Sequence, residues 1–358
     1  MSNRLNMDEI SDKVFGGKRI SPEEGSYLLE KADLLSLGLL ADQVRKQKHP
    51  DGIVTFVIDR NINYTNICCC GCGFCAFYRP ARHPEGYLLT KDEVFQKIEE
   101  LLAMGGTQVL MQGGLHPGLD LEYFEDLFKE IKKHYPVTLH CLSPVEIDYL
   151  AGKSGLPLEQ VIKRLQEAGL DSLPGGGAEI LVERVRREIS PKKISAQRWL
   201  EVTEAVHRMG MKSTATMVFG HRETLHDRIT HLEEVRSLQD ETGGFTAFIP
   251  WTYQPGNTML GGRAISSWEY LRMMAVSRIF LDNIPNLQVS WVTQGVKIAQ
   301  IALAFGANDF GSTMLEENVV RAAGTSHSSS EEELVALIKD AGFSAAQRDN
   351  LYRILKHY

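Results

Sequence analysis

A ring of about eight β/α units, an α/β barrel, is the fold this 358-residue chain predicts. Three observations carry it. From Ile53 onward, short β-rich runs alternate with amphipathic stretches of helical period. The runs are short and apolar enough to be buried, as parallel strands flanked by helices are. The count of units reaches about eight, enough to close a ring through right-handed crossovers.

The elements follow in order. Residues 7 to 48 read as helices, with Ser21-Pro22-Glu23-Glu24 giving an N-cap, a proline at N1 and a glutamate at N3. Ile53 to Ile58 and Ile62 to Thr65 are β-rich. Thereafter Lys91 to Met104 reads as helix, Thr107 to Met111 as strand, Leu119 to His134 as helix and Val137 to Leu142 as strand. Leu158 to Ala168 is helical and Asp171 to Leu173 a short strand, and Ala178 to Glu188 and Ala196 to Met209 are helical. Strands Ser213 to Phe219, Phe245 to Ile249, Gln288 to Trp291 and one near Asp309 alternate with helices Leu225 to Gln239, Ser267 to Leu281 and Val296 to Phe305. The fourth and eighth strands are thin, so a partial (β/α)6 barrel with helical additions is the alternative. Gly324 to Ser330 reads as a Ser-rich hinge, followed by two helices, Glu331 to Ala341 and Ser344 to Lys356. The organisation expected is a helical cap over 1–50, a barrel over 51–320 and C-terminal helices over 321–358 packed back on it.

With 43% hydrophobic residues the chain can bury one large core or two ordinary ones. A formal net charge of −7 with interspersed signs excludes a nucleic-acid-wrapping surface, which needs clustered Lys and Arg. Met1 to Asn6 shows no basic-then-apolar leader, and no apolar run approaches the roughly 18 residues of a membrane span. The expectation is a cytoplasmic protein without a membrane or nucleic-acid partner.

Five of the six cysteines fall within eight positions, Cys68 to Cys75. Cys68, Cys72 and Cys75 are spaced C-x3-C-x2-C, with the aromatic Phe74 before the last sulfur. Three thiolates on one loop can each hold one iron of a cubane, and Gly71 and Gly73 let the backbone wrap closely. By spacing alone, Cys69, Cys72 and Cys75 bind metal equally well. Structural zinc wants a second pair of ligands, and Cys141 stands alone. A disulfide framework suits small secreted domains. Cys69 and Cys70 otherwise read as packed loop thiols.

Residues that follow barrel strands are where a site forms. Gln112-Gly113-Gly114-Leu115-His116 follows the second strand, where glycines let carbonyls approach an ammonium or simply make a turn. Ser143 and Glu146 follow the third and either reach a sugar or cap a helix. Gly175-Gly176-Gly177-Ala178-Glu179 follows the fourth, with Glu179 at a helix start that favours a carboxylate. Gly220-His221-Arg222-Glu223 follows the fifth, where an N-cap role for Glu223 is a rival. Trp251 and Tyr253 follow the sixth, either stacking on a flat substrate or packing in the core. Asn308 and Asp309 sit at the last, glycine-flanked strand and are expected to face substrate. His116 and His221 follow strands and titrate near neutrality, which makes them weak candidates for proton transfer.

The cysteine loop resembles that of the radical SAM (S-adenosylmethionine) superfamily. Asp59 to Asn66, Ala76-Phe77-Tyr78-Arg79, Gly175 to Glu179, Ser190-Pro191-Lys192-Lys193, Phe248 to Tyr253 and the tail Gln347-Arg348-Asp349 extend the likeness, over roughly residues 50 to 320, to the futalosine-route synthases of menaquinone biosynthesis. The resemblance implies a [4Fe-4S] cluster on Cys68, Cys72 and Cys75, with a fourth iron that chelates SAM. It places Phe74, Gln112, Gly113, Gly114 and Ser143 around SAM, Glu179 on the ribose hydroxyls, Arg198 on the carboxylate and Glu223 near the adenine. It also implies a flavodoxin or ferredoxin as electron donor and dehypoxanthine futalosine, a small nucleoside-like molecule, as the substrate cyclised. The doubled Cys69-Cys70 departs from that family's loop. Rival readings are an aminofutalosine synthase, a deazaflavin-cofactor synthase and, outside enzymes, an iron–sulfur electron carrier.

Overall fold

The computed structural model describes residues 5–325, 327 and 329–358; Met1 to Arg4 of the segment read for a leader, and Ser326 and Ser328 of the Ser-rich stretch, lie outside them. Eleven strands are found among the described residues: β1 (Ile53–Val57), β2 (Asp59–Ile62), β3 (Gln108–Met111), β4 (Thr138–Cys141), β5 (Ser172–Leu173), β6 (Lys212–Phe219), β7 (Phe245–Thr252), β8 (Asn286–Leu287), β9 (Asp309–Ser312), β10 (Ser344–Arg348) and β11 (Ile354–His357). β2 to β8 form one seven-stranded parallel sheet in chain order.

Further contacts bring the sheet's two ends together. β1 runs into β2 with only Ile58 between them, and β9 pairs in parallel with β1, Phe56 opposite Gly311 and Val57 opposite Ser312. On its other side β9 meets the end of β8, with Val289 N donating to Asp309 O (3.0 Å) and Asn308 N to Leu287 O (3.1 Å). β1 and β2 therefore act as one interrupted strand, and the ring has the eight positions of a (β/α)8 barrel. The fourth strand, β5, has two residues as its short run suggested; the second thin strand is β8, the seventh in the ring, and not β9.

The strands alternate in a way that positions the site. Side chains two apart share a face, and one face of β2, β3 and β4 is apolar and buried against helices: Ile62, Val109, Met111, Leu139 and Cys141. The other face carries Asp59, Asn61, Gln108 and His140, which line a cavity inside the ring. A ring meant only as a core would fill its interior with branched apolar side chains; this one sets those four polar residues among apolar ones such as Leu110, Val218 and Ile249.

Three N-terminal helices, α1 (Met7–Phe15), α2 (Pro22–Glu30) and α3 (Leu34–Lys48), begin at side-chain caps from Asn6, Ser21 and Asp33, with the full Ser21–Glu24 capping box in α2. They lie on the outer helices: Arg272 Nη1 of helix Ser267–Phe280 donates to Ala32 O (2.6 Å), and Lys48 Nζ to Asp282 O (2.6 Å).

Three expectations for local structure are corrected. The tail after Glu331–Asp340 is a strand pair and not a helix. Of β1 and β2, β3 pairs with β2 alone, which leaves the neighbouring edge of β1 open, and β10 fills it in parallel from Ile53 to Phe56. Closing an open edge outweighs the modest helix preference of Ser-Ala-Ala-Gln-Arg. The helix expected from Ala178 begins only at Glu183, and the strand expected at Gln288 to Trp291 lies earlier, giving way to the helical turn Trp291–Gln294.

The turn from β10 to β11 brings Arg348, Asn350 and Tyr352 to the cavity wall at the end where the strands begin. Arg348 grips Asp309 through two hydrogen bonds (Nε–Oδ2 2.5 Å, Nη2–Oδ1 2.9 Å), and Thr55 donates to the same carboxylate (2.5 Å). Arg348→Ala leaves Asp309 buried without its cation, and we predict a loss of about 3–5 kcal/mol in urea unfolding; a change below ~1 kcal/mol would show that this pair does not secure the tail.

Candidate active site

The cavity occupies the ring's interior beneath the cysteine loop, with a volume of about 420 Å³. Cys68, Cys72 and Cys75 all line it. Cys69 is exposed instead, which separates the two ligand sets that spacing left equal. Cys70 is a fourth lining thiol; its N–H donates to Cys68 Sγ (3.4 Å) and its thiol to Lys192 O (3.9 Å). Hydrogen bonding from Cys70 outweighs burial at Cys68 and brings its thiol down to about 5; Cys72 is lowered by the same partner, while burial raises Cys75. Among the described residues no three His, Cys, Asp or Glu side chains gather as ligands of a single metal ion. A cubane, with one thiolate per iron, does not need them to.

The glycines beside the loop are there for close approach. A Cβ on Gly114 would meet Ile67 O at 2.3 Å and Cys68 Cβ at 2.8 Å, and one on Gly176 would meet Gln112 Nε2 at 2.4 Å. Gln112 is in turn fixed by donating to Leu142 O (3.1 Å). Ser143 caps helix Pro144–Ser154 and donates to Glu146 Oε2 (2.6 Å), while Glu146 Oε1 accepts from Tyr64 O–H (2.8 Å) and Gly113 N–H (3.2 Å). Burial wins over these donors and pushes Glu146 up to about 7.

Glu179 sits at φ +41°, a left-handed conformation uncommon outside glycine. Its Oε1 accepts from Lys193 Nζ (2.7 Å), and its Oε2 is buried without a hydrogen bond, 3.6 Å from Arg186 Nη1. The Lys193 ammonium lies 5.2 Å from the centre of the Phe74 ring. Burial opposes its charge, but Cys72 and Glu179 together raise its pKa. Trp251 and Tyr253 also line the cavity, and Tyr253 O–H donates to Gly261 O (3.0 Å).

Six nominated residues lie off the cavity wall. Arg198 is part-exposed and bonded to Asp148 (2.6 Å) and Glu201 (3.1 Å). Glu223 is spent on the backbone N–H groups of Gly220 (2.6 Å) and His221 (2.9 Å) and on Arg228 (2.8 Å), the capping role that rivalled cofactor contact. Asn308 and Asp309 precede the body of β9 and so sit at its wrong end: Asn308 Oδ1 accepts from Arg278 (2.5 Å) and Leu287 N (2.9 Å), and Asp309 holds Arg348. His116 accepts from Gly118 N (2.9 Å) near the surface. Both His221 ring nitrogens are used, Nδ1 by Arg222 N–H (2.7 Å) and Nε2 by Val218 O (2.9 Å). Sequence reasoning in turn missed Asp59, Asn61, Gln108 and His140 as lining residues, whose signal was the polar half of the strand alternation, and Arg348, which had only its place in the tail motif. Lys193 had only its place in a motif.

Residues 62–235 match the model described as the radical SAM superfamily, and residues 242–357 match that of the CofH/MqnC C-terminal region. The chain belongs to the radical SAM superfamily and is an enzyme; the electron-carrier reading falls with that. Within the superfamily it is 45% identical over 356 residues to the cyclic dehypoxanthine futalosine synthase of Halalkalibacterium halodurans, covering 99% of this chain and 96% of the relative. It is likewise 45% identical to the enzyme of that name from Streptomyces coelicolor, over 360 residues and 99% and 90% of the two chains. The FeFe-hydrogenase maturase HydG of Carboxydothermus hydrogenoformans shares the fold, with a TM-score of 0.77 at 18% identity over 97% of this chain and 80% of that one. No described helix is long and apolar enough to cross a membrane.

A [4Fe-4S] cluster and SAM are implied by the superfamily, and the residues fit them: three thiols on one wall, glycines that leave room beside them, and the unbonded Glu179 oxygen. We predict that Cys69→Ala keeps the iron and sulfide content of the reconstituted parent, whereas Cys68→Ala lowers it severely. Equal losses in both would return the choice between the two ligand sets to open.

Proposed function

We propose that the chain cyclises dehypoxanthine futalosine in menaquinone biosynthesis. The observation that carries this is the cysteine-walled cavity inside the barrel, lined by polar and apolar side chains, in a chain 45% identical over nearly its whole length to enzymes of that name. Cys68, Cys72 and Cys75 would hold the cluster, while Gln112, Gly113 and Gly114 would bound the amino end of SAM. When bound and reduced by a flavodoxin or ferredoxin, the cluster and SAM supply a 5′-deoxyadenosyl radical.

The chain's own part is placement and dryness. Glu179, buried with one oxygen unbonded, is suited to accept from two ribose hydroxyls. Gly113 N–H and Tyr64 fix Glu146, and with Ser143 these set the wall beside the glycines. Asn61, Gln108 and His140 offer polar groups to a nucleoside-like substrate deeper in the ring. Trp251 and Tyr253 give it aromatic faces, worth roughly 0.5–1.5 kcal/mol in a good pair. With both groups bound, SAM would supply the radical that takes the ribose C4′ hydrogen, and closure of the substrate onto its aromatic ring would release one proton and one electron, the electron returning to the cluster oxidised in cleaving SAM. Excluding water from this interior protects the open-shell carbon until the ring closes.

The test is anaerobic turnover of the reconstituted, reduced protein with SAM and dehypoxanthine futalosine. Formation of 5′-deoxyadenosine that depends on this substrate, with a product lighter by about two hydrogens, one lost as the abstracted atom and one as proton and electron, is expected. If 5′-deoxyadenosine instead depends on tyrosine or an enolpyruvyl acceptor, the substrate assignment fails while the superfamily membership stands.

A further inference from the structure

The end of the cavity where the strands begin is closed by the turn from β10 to β11, and two hydrogen-bond donors there have no acceptor. The Tyr352 hydroxyl is buried without a hydrogen bond among the described residues, on a residue held at φ +63°. Burial raises its pKa above the ordinary phenol range, so it keeps its proton. The Arg348 guanidinium lies 3.9 Å from the centre of its ring.

His140, only 8% exposed, is the second donor on this wall. Burial, and Arg348 after it, pull its pKa down to about 3, so the imidazole is neutral and carries one proton. Its Nδ1 lies 2.7 Å from Ser172 Oγ, and that oxygen accepts from Asn350 Nδ2 of the turn (3.2 Å). The Ser172 hydroxyl therefore gives its own proton to Nδ1, which leaves the ring proton on Nε2. Nε2–H has no protein acceptor among the described residues. A buried donor without an acceptor is costly, and so is a tyrosine in the left-handed region; both persist where a ligand completes the arrangement. The charges nearby allow that ligand to be an anion. Arg348 and Asp309 match each other, and Asp59, which accepts from Gln108 (3.0 Å) and Ser312, is pushed up to about 6 by burial. Asp59 takes up a proton as an anion approaches, and so does not repel it.

We propose that His140 Nε2–H and the Tyr352 hydroxyl bind the aromatic carboxylate of the substrate, which makes the β10–β11 turn the specificity element of the cavity. Dehypoxanthine futalosine carries one charge, a benzoate carboxylate at the other end of the molecule from its ribose. With the ribose toward the cysteine loop, that carboxylate reaches the end closed by the turn, where one donor meets each oxygen. Asn350 is a positioning residue: acting through Ser172, it sets the tautomer that makes His140 a donor. The proposal rests on the substrate assignment above.

The test is calorimetric binding to the reconstituted holoprotein with SAM present and the cluster kept oxidised, so that nothing turns over. The probes are dehypoxanthine futalosine and its analogue with a phenyl group in place of the benzoate. Tyr352→Phe, which removes one oxygen and keeps the ring beside Arg348, should weaken dehypoxanthine futalosine roughly 10- to 100-fold, the worth of one hydrogen bond to a charged group. His140→Leu should do the same, while the phenyl analogue binds parent and variants within about twofold of one another. Iron content and the change that SAM causes in the electron paramagnetic resonance of the reduced cluster should match the parent in both variants. Should His140→Leu not assemble its cluster, Tyr352→Phe carries the comparison alone. If the variants weaken both probes alike, the two residues only shape the cavity and the proposal fails. It fails too if the phenyl analogue binds the parent as tightly as dehypoxanthine futalosine does, and turnover of dehypoxanthine futalosine then leaves the function standing. A parent that binds SAM but neither binds nor turns over dehypoxanthine futalosine sinks the function, and this subsite with it.

Discussion

The cysteine loop has no ladder of its own, so its place is set by backbone hydrogen bonds to the segments around it. Cys68 N–H donates to Arg79 O (3.0 Å) where the loop returns, and Cys69 N–H to Leu115 O (3.1 Å) beyond β3. Gly73 donates to Ile189 O (2.8 Å) and accepts from Leu260 N–H (2.8 Å). These bonds use main chain on both sides, which leaves the thiols free to face the cavity. They also make the loop depend on four separate stretches of the barrel, none of which holds it alone. Glycine is required where those stretches press closest, as at Gly114 against the Ile67 carbonyl.

The same division between backbone and side chain runs through the ring. Strand ladders and the β10 addition satisfy the main chain, outward side chains make the apolar core with the helices, and inward side chains are left for chemistry. The cost is a set of buried charges, each met by a partner: Asp309 by Arg348, Glu223 by Arg228, Glu179 by Lys193. The first two are saturated by protein groups. The third is not, because Glu179 Oε2 has no hydrogen bond and only the Arg186 guanidinium at 3.6 Å, and it is the pair that faces the cavity beside the cysteines. A site can be distinguished from the scaffold here by which buried charges remain incompletely satisfied.

Much of this was legible in the sequence, for identifiable reasons. The parallel ring followed from the alternation of short apolar runs with helical periods, and the cysteine spacing named the loop. Gly113, Gly114 and Glu179 were found because they follow strands. Asn308 and Asp309 misled because β9 starts at Asp309 itself, so a residue near a strand was at its wrong end. Arg198 was read from its place on the chain, which does not show that Asp148 lies within reach of its guanidinium. The tail misled because an open edge on β1, nearly three hundred residues earlier in the chain, decides its conformation, and local propensity carries no trace of that. Asp59, Asn61 and Gln108 were legible but unread: inward polar residues alternate with apolar ones along β2 and β3.

The proposed function turns on three thiols, Cys68, Cys72 and Cys75, which would hold a cubane with its fourth iron open to SAM. Mössbauer spectroscopy of protein reconstituted with iron-57, before and after addition of SAM, tests that most directly. One iron site of the four should change its parameters on SAM addition while the other three stay alike. Four equivalent thiolate-bound sites indifferent to SAM, with Cys70 as the fourth ligand, would contradict it.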